Sequence, residues 1–264
     1  MKPDHQITIK EFNTSQPHKQ GRKLAILLCY VLSFFVLVSM LHYLFQNDIK
    51  HAVACFKVLV IFVVPWIVER IFKLELPSML SISLQLFAFA AIILGEINMF
   101  YMKYPFWDVI LHTYSGFLWA AVGFMIFSFV FQGWYKKCVS VSPLPLIFAA
   151  FCVSMTIGGV WELYEFGMDQ AMNRDMQKDT IVHTIKSVQL DSSHSLVVLN
   201  NISSVAIDGR NLMLDGYLDI GLYDTMYDLI NNFIGAFVFG SMAYFDYRCL
   251  KGKIIGGFFT LTKL

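Results

Sequence analysis

Residues able to do acid–base or metal chemistry gather in a few short stretches of an otherwise apolar sequence. Asp108, His112 and Gly116 repeat every four residues, Glu162 and Glu165 lie three apart, and Asp224, Asp228, Asn231 and Gly235 follow a 4, 3, 4 spacing. On an α-helix, residues three or four apart share a face, so each set forms one polar stripe that glycine extends. A histidine, several carboxylates and an amide suit a divalent cation, and the set alone does not choose among Mg²⁺, Mn²⁺, Fe²⁺ and Zn²⁺. In such a site His112, Glu165, Asp224, Asp228 and Asp108 would hold the metal, Glu162 would act as general base and Asn231 would orient a ligand. Without a cation, carboxylates brought together in a low dielectric must share protons instead.

Each group also has a purely structural reading. Asp108 and Asp224 stand at expected helix starts, where a carboxylate caps free N–H groups and complements the positive end of the helix dipole. His112 taken singly reads as a hydrogen-bonded structural residue. Asn231 and Asn232 suit interhelical glue in a membrane bundle, and Glu96 can reach the headgroup region. Glu162 and Glu165 occupy an expected helix C-terminus, where the dipole disfavours anions, so capping does not account for them.

The elements that must carry these residues follow from composition. Of 264 residues, 57% are hydrophobic and only 15% charged, and the mean hydropathy is +0.59. One aqueous core cannot absorb that apolar surplus, which excludes a disordered chain, a nucleic-acid binder and an ordinary soluble enzyme and points to a lipid bilayer. Runs long enough to cross about 30 Å of hydrocarbon span Leu24 to Phe45, Ala52 to Phe72, Met79 to Phe100, Val109 to Phe131, Leu144 to Phe166 and about Leu222 to Phe245. The expected fold is therefore an all-α polytopic bundle of about six transmembrane helices.

Lysine and arginine set the orientation. With the N-terminus inside, 13 of the 20 fall on the cytoplasmic side and six outside, with Lys57 inside the second span. Both termini are then cytoplasmic, and all of the candidate polar residues lie at the outer membrane level. Five acidic residues are inside and 14 outside, so the inner side carries +8 and the outer side −8. Insertion rules do not require that outer acidic excess.

Residues 1–23 read as a flexible cytoplasmic tail, 24–250 as the transmembrane domain and 251–264 as an interfacial tail. The long outer connection at 167–221 contains loosely alternating runs at Ile181 to Leu190, Ser195 to Leu199 and Asn211 to Leu214, which predict a small β-hairpin cap. The cysteines, Cys29, Cys55, Cys138, Cys152 and Cys249, avoid that loop and form no Cys-x-x-Cys pair, so neither a disulfide framework nor a thiolate metal site is expected.

The combination of Trp107-Asp108 through His112 and Gly116, Trp161-Glu162-Leu-Tyr-Glu165-Phe166, Met176-Gln177-Lys178 and Asp224 through Asp228 to Gly235 resembles the YjdF-like family of bacterial integral membrane proteins, over about Tyr101 to Tyr244. More loosely, Asp-x-x-x-His, a later Glu, and Asp-x-x-x-Asn-x-x-Gly look like the VanZ-like membrane proteins. The resemblance implies a multi-pass protein of the bacterial cytoplasmic membrane and carries no reaction with it.

Three functions compete at this point. The first is a metal-dependent hydrolase or transferase acting on a lipid or cell-envelope intermediate. The second is a non-enzymatic scaffold or binding protein, and the third an ion or solute transporter. The transporter fits least, because the fourth span has no ionisable residue between His112 and Lys136, nor the sixth between Asp228 and Asp246. Lipid is the expected partner in each case, and the sequence specifies no oligomeric state.

Overall fold

The computed structural model describes residues 19–134, 143–250, 252–258 and 261–263. Of the expected tail at residues 1–23, residues 1–18 lie outside them, as do Lys136, Lys137 and Cys138, while residues 19–23 already belong to the first helix. The long helices are α1 (Lys19–Phe45), α2 (Ile49–Phe72), α3 (Ser78–Ala88, continued by a π-helical stretch, Phe89–Ile97), α5 (Phe106–Trp134), α6 (Leu144–Met172) and α7 (Leu222–Phe245). The short helix α4 is Phe100–Lys103, and α8 is Lys253–Phe258. All α-helical architecture of this kind matches the expected fold class. Among the described residues, five helices are long and apolar enough to cross a membrane: Gly21–Phe45, Ile49–Phe72, Ser78–Ile97, Phe106–Val130 and Leu144–Met172.

The sixth expected span, α7, forms over its whole range but is not among those five. At roughly 1.5 Å per residue it is about 36 Å long, so length is not what it lacks. Its first half carries Asp224, Thr225, Asp228, Asn231 and Asn232, which dilute its hydropathy, while its second half buries Ala236, Phe239 and Ala243 in protein.

Local chemistry explains the helix ends. Asp48 caps α2 by accepting the His51 N–H at 3.2 Å, and Lys73 ends that helix in the left-handed conformation at φ 52° with its N–H on the Glu69 carbonyl. Asn98 closes the π-helical stretch, its backbone N–H and its side chain both donating to the Ile93 carbonyl at 3.0 and 2.6 Å. That stretch widens the C-terminal half of the third span, and a β-carbon on Gly95 would collide with the Tyr101 ring, which would have to move to admit it.

The chain divides into two compact units, residues 1–158 with 231–264 and residues 159–230. In the first, α1, α2 and the third span share a core of Val36, Cys55, Val58, Phe62, Ala88 and Ile93. A second core joins Ala120, Ala121 and Phe124 of α5 to Leu146 and Ala150 of α6, Ala236, Phe239 and Ala243 of α7, and Ile255 of α8. Outward, large side chains stay uncovered, Tyr30 at 72% and Phe34 at 62% exposure among them, which only a lipid solvent tolerates over so many positions. The C-terminal segment is built in: Asp246, fully buried, accepts the N–H groups of Ile254 and Ile255, and β8 (Thr262–Lys263) pairs antiparallel with β1 (Leu74–Glu75).

The second unit holds the C-terminal part of α6, the long connection and the start of α7. Here α6 continues to Met172, beyond the expected end at Phe166, so Asp169 is a helix residue. The cap is three separate strand pairs: β2 (Ile181–Val182) with β7 (Tyr217–Leu218), β3 (Ile185–Ser187) with β4 (Val197–Leu199), and β5 (Ala206–Ile207) with β6 (Arg210–Asn211). The run expected as one strand over Ile181 to Leu190 is thus cut in two at His183-Thr184, and its halves take different partners.

Candidate functional site

Within residues 159–230, Glu162 and Glu165 project from one face of α6, and Asp228 from α7. All three are buried, at 6%, 7% and 4% exposure, and one carboxylate oxygen from each lies within 4.8 Å of the other two. Glu165 also accepts the Trp161 indole N–H at 3.0 Å, which fixes one of its oxygens. Two unit charges at this separation repel by on the order of 3 kcal/mol at an effective dielectric of about 20. Three such pairs would cost about as much as the whole stability of a typical domain, 5–15 kcal/mol. Three anions therefore do not share this space alone: a cation or protons must reduce their charge.

Asp224, one turn before Asp228, has a different partner. Its Oδ2 accepts the Lys178 backbone N–H at 2.8 Å, and it is not in the group of converging ligand atoms. Nearby, Asp169 accepts the N–H groups of Met176 and Gln177 at 2.6 and 2.8 Å, and the Gln177 side chain donates to Thr225 Oγ1 at 2.5 Å. Asp219 takes the N–H groups of Thr180 and Tyr223 at 2.6 and 2.7 Å. Asp179 lies beside this group; burial, then the carboxylates of Asp175, Asp219 and Asp169, hold it above the usual aspartate range.

The remaining predicted residues lie in the other unit. Asp108 and His112 pair along α5 at 3.5 Å, with side chains 29% and 13% exposed. Asn231 is half-buried, whereas its neighbour Asn232 is 1% exposed and donates to the Ser154 carbonyl at 3.3 Å. Ser154 in turn donates to the Gly116 carbonyl at 2.7 Å. The buried face of α7 accordingly runs through Asp228, Asn232, Gly235 and Phe239, keeping the 4, 3, 4 spacing but passing through Asn232 where Asn231 was expected. Both glycines of the expected stripes are points of backbone contact: a β-carbon on Gly116 would overlap the Asn232 carbonyl, and one on Gly235 the Thr113 carbonyl. Glu96 is exposed, in keeping with a peripheral position.

Comparison with known proteins adds a family. A protein of Thermotoga maritima described as "Uncharacterized protein" is 30% identical over 109 residues, which is 41% of this chain and 53% of that protein. The chain thus aligns with about half the length of this relative. No solved structure matches. The family described as "Predicted membrane protein (DUF2238)" matches residues 25–249, which takes in all but the first four residues of the five membrane-capable helices, the buried carboxylates and the whole connection between α6 and α7. The chain belongs to that family, a YjdF-like family of membrane proteins.

Proposed function

We propose that this membrane protein is a divalent-cation-dependent hydrolase or transferase that acts at the outer membrane surface on a lipid or cell-envelope intermediate. The observation that supports it is the convergence of Glu162, Glu165 and Asp228, three buried carboxylates whose oxygens lie within 4.8 Å of one another. An all-oxygen, all-anionic donor set suits a hard cation, Mg²⁺ or Mn²⁺, better than zinc, which favours nitrogen and sulfur. Glu165 and Asp228 are the proposed ligands. Glu162 is close enough to share the cation and to take a proton from a nucleophile. A bound cation would supply Lewis-acid polarisation of a phosphoryl or carbonyl oxygen. A substrate with a polar head and an apolar tail suits carboxylates carried on membrane helices.

Elemental mass spectrometry on protein purified without chelators tests this. About one Mg or Mn per chain is expected, lost in Asp228→Asn and Glu165→Gln variants that stay monodisperse. Glu162→Gln is expected to retain metal and lose turnover of a labelled envelope-lipid pool. Protein that takes up no cation after loading in millimolar Mn²⁺ would overturn the reading and leave a proton-sharing network in a membrane scaffold.

A further inference from the structure

We infer that the strap at residues 176–180 is a positioning device for the buried carboxylates, acting through Asp169, Asp224, Gln177 and Thr225; this rests on the reading of Glu162, Glu165 and Asp228 as a cation site. Helix register aligns these residues with the buried carboxylates. Asp169 follows Glu165 by four residues and Glu162 by seven, so it stands on the same face of α6, one turn further along. Asp224 precedes Asp228 by four, on the same face of α7.

Three consecutive backbone N–H groups join these two positions: those of Met176 and Gln177 on the two oxygens of Asp169, and that of Lys178 on Asp224. The Gln177 amide adds a bond to Thr225, the residue after Asp224. The approach is close. A β-carbon on Gly221 would sit 2.8 Å from Gln177 Cβ, and that glycine has φ +85°, so a side chain there would meet both steric and backbone strain. The same faces that carry the carboxylates are therefore tied together one turn away from them. A metal site tolerates only about 0.2 Å of error in ligand distance, so the spacing of α6 and α7 at this level decides how well the carboxylates fit a cation.

Asp169→Asn tests the strap. It leaves one acceptor for two N–H groups and turns an NH₂ toward one of them. In nanodiscs, Mn²⁺ titration followed by electron paramagnetic resonance should show affinity weakened at least tenfold, the effect usual for residues that orient metal ligands, with an altered Mn²⁺ spectrum at saturation. Thr225→Val, which removes only the Gln177 bond, should act in the same direction and serves if Asp169→Asn does not fold. Dipolar spectroscopy between spin labels placed at positions 164 and 227, recorded without metal, should give one narrow distance in the parent protein and a broadened distribution in both variants. Unchanged affinity, spectrum and distance distribution in variants with a lowered melting temperature would overturn the inference and make the strap a folding element. Failure of the parent protein to bind Mn²⁺ would overturn the cation reading, whereas the metal-free distances report on the strap independently, and unchanged distances overturn it.

Discussion

Gly235→Ala should be among the most damaging single-methyl changes in this protein. The residue sits on α7 where that helix meets α5 backbone to backbone: an added β-carbon would overlap the Thr113 carbonyl oxygen and lie 2.7 Å from the Phe117 nitrogen. Ordinary contact begins near 3.4 Å, so clearing Phe117 alone needs about 0.7 Å of separation, and clearing Thr113 needs more. Neither obstacle is the flexible end of a side chain, so the helices themselves must part.

The loss then spreads to the packing that depends on their approach. Ala120, Ala121 and Phe124 on α5 and Ala236, Phe239 and Ala243 on α7 share one core, and Phe239 stacks edge-on against Phe117 and Phe124 with ring centres 5.3 and 5.9 Å apart. A gap of 0.5–1 Å forfeits about a quarter to a half of each such dispersion contact, and overpacking typically costs 1–3 kcal/mol. The expected destabilisation is about 3 kcal/mol, roughly a hundredfold in the unfolding equilibrium, read by denaturant titration in mixed micelles. Gly159→Ala is the control: it is helical, nothing lies within 4 Å of its added carbon, and removing a helical glycine should stabilise by up to about 1 kcal/mol. Equal stability of Gly235→Ala and Gly159→Ala would refute the close-contact argument.

Two further outcomes follow from the same structure. Asp246→Ala should cost about 1–2 kcal/mol, a buried helix-cap loss, because it strips Ile254 and Ile255 of their acceptor; hydrogen exchange in α8 should rise sharply, and unchanged protection would count against it. Asp179, raised by burial and by its acidic neighbours, binds its proton more tightly folded than unfolded. Its contribution is therefore complete below the usual value of 3.8 and is lost as pH rises through the elevated one. Protease resistance of the 173–221 connection should fall over that window in the parent protein and stay flatter in Asp179→Asn; parallel profiles would show that Asp179 is not involved.

Much of the scaffold was legible because two signals in the sequence are strong. Long apolar runs place the helices, and the spacing of Gly116 and Gly235 marks where α5 and α7 touch. That Glu162 and Glu165 share one face of α6 was legible too, from 3.6-residue periodicity, whereas the approach of Asp228 from α7 is a tertiary contact that periodicity does not give. Four further features were not legible. The π-helical stretch at Phe89–Ile97 has no period that a run apolar up to Glu96 can display, and only Asn98 folding back on Ile93 marks it. Gly167 stands at the expected end of the span, yet a glycine costs a helix interior only about 1 kcal/mol, and α6 continues to Met172 and carries Asp169 into place. The pairing of β2 with β7 joins residues far apart in the chain, which local alternation cannot foresee. The choice between Asn231 and Asn232 turns on one residue of helix rotation, finer than a stripe drawn on sequence.

The carboxylates expected on the outer side differ in what each one does. The connection from Asn173 to Gly221 has strands only two or three residues long, so most of its backbone N–H groups find no partner in a sheet. Aspartates supply acceptors in their place: Asp169 for Met176 and Gln177, Asp191 for Ser193 and Ser195, Asp219 for Thr180 and Tyr223, Asp224 for Lys178. Where the acceptor is local, as with Asp191 and with Asp219 toward Tyr223, aspartate serves better than glutamate because the shorter side chain folds back on its own backbone with less entropy to lose. It also explains why a residue such as Asp224, at the right helical spacing for a ligand, serves the strap. Glu162, Glu165 and Asp228 differ in kind. They are buried rather than half-exposed and they converge on one another, and because α6 runs on to Met172 the two glutamates lie in its interior and not at the C-terminal end expected for them. Backbone capping offers no reason to place three carboxylates there, and a counter-charge does.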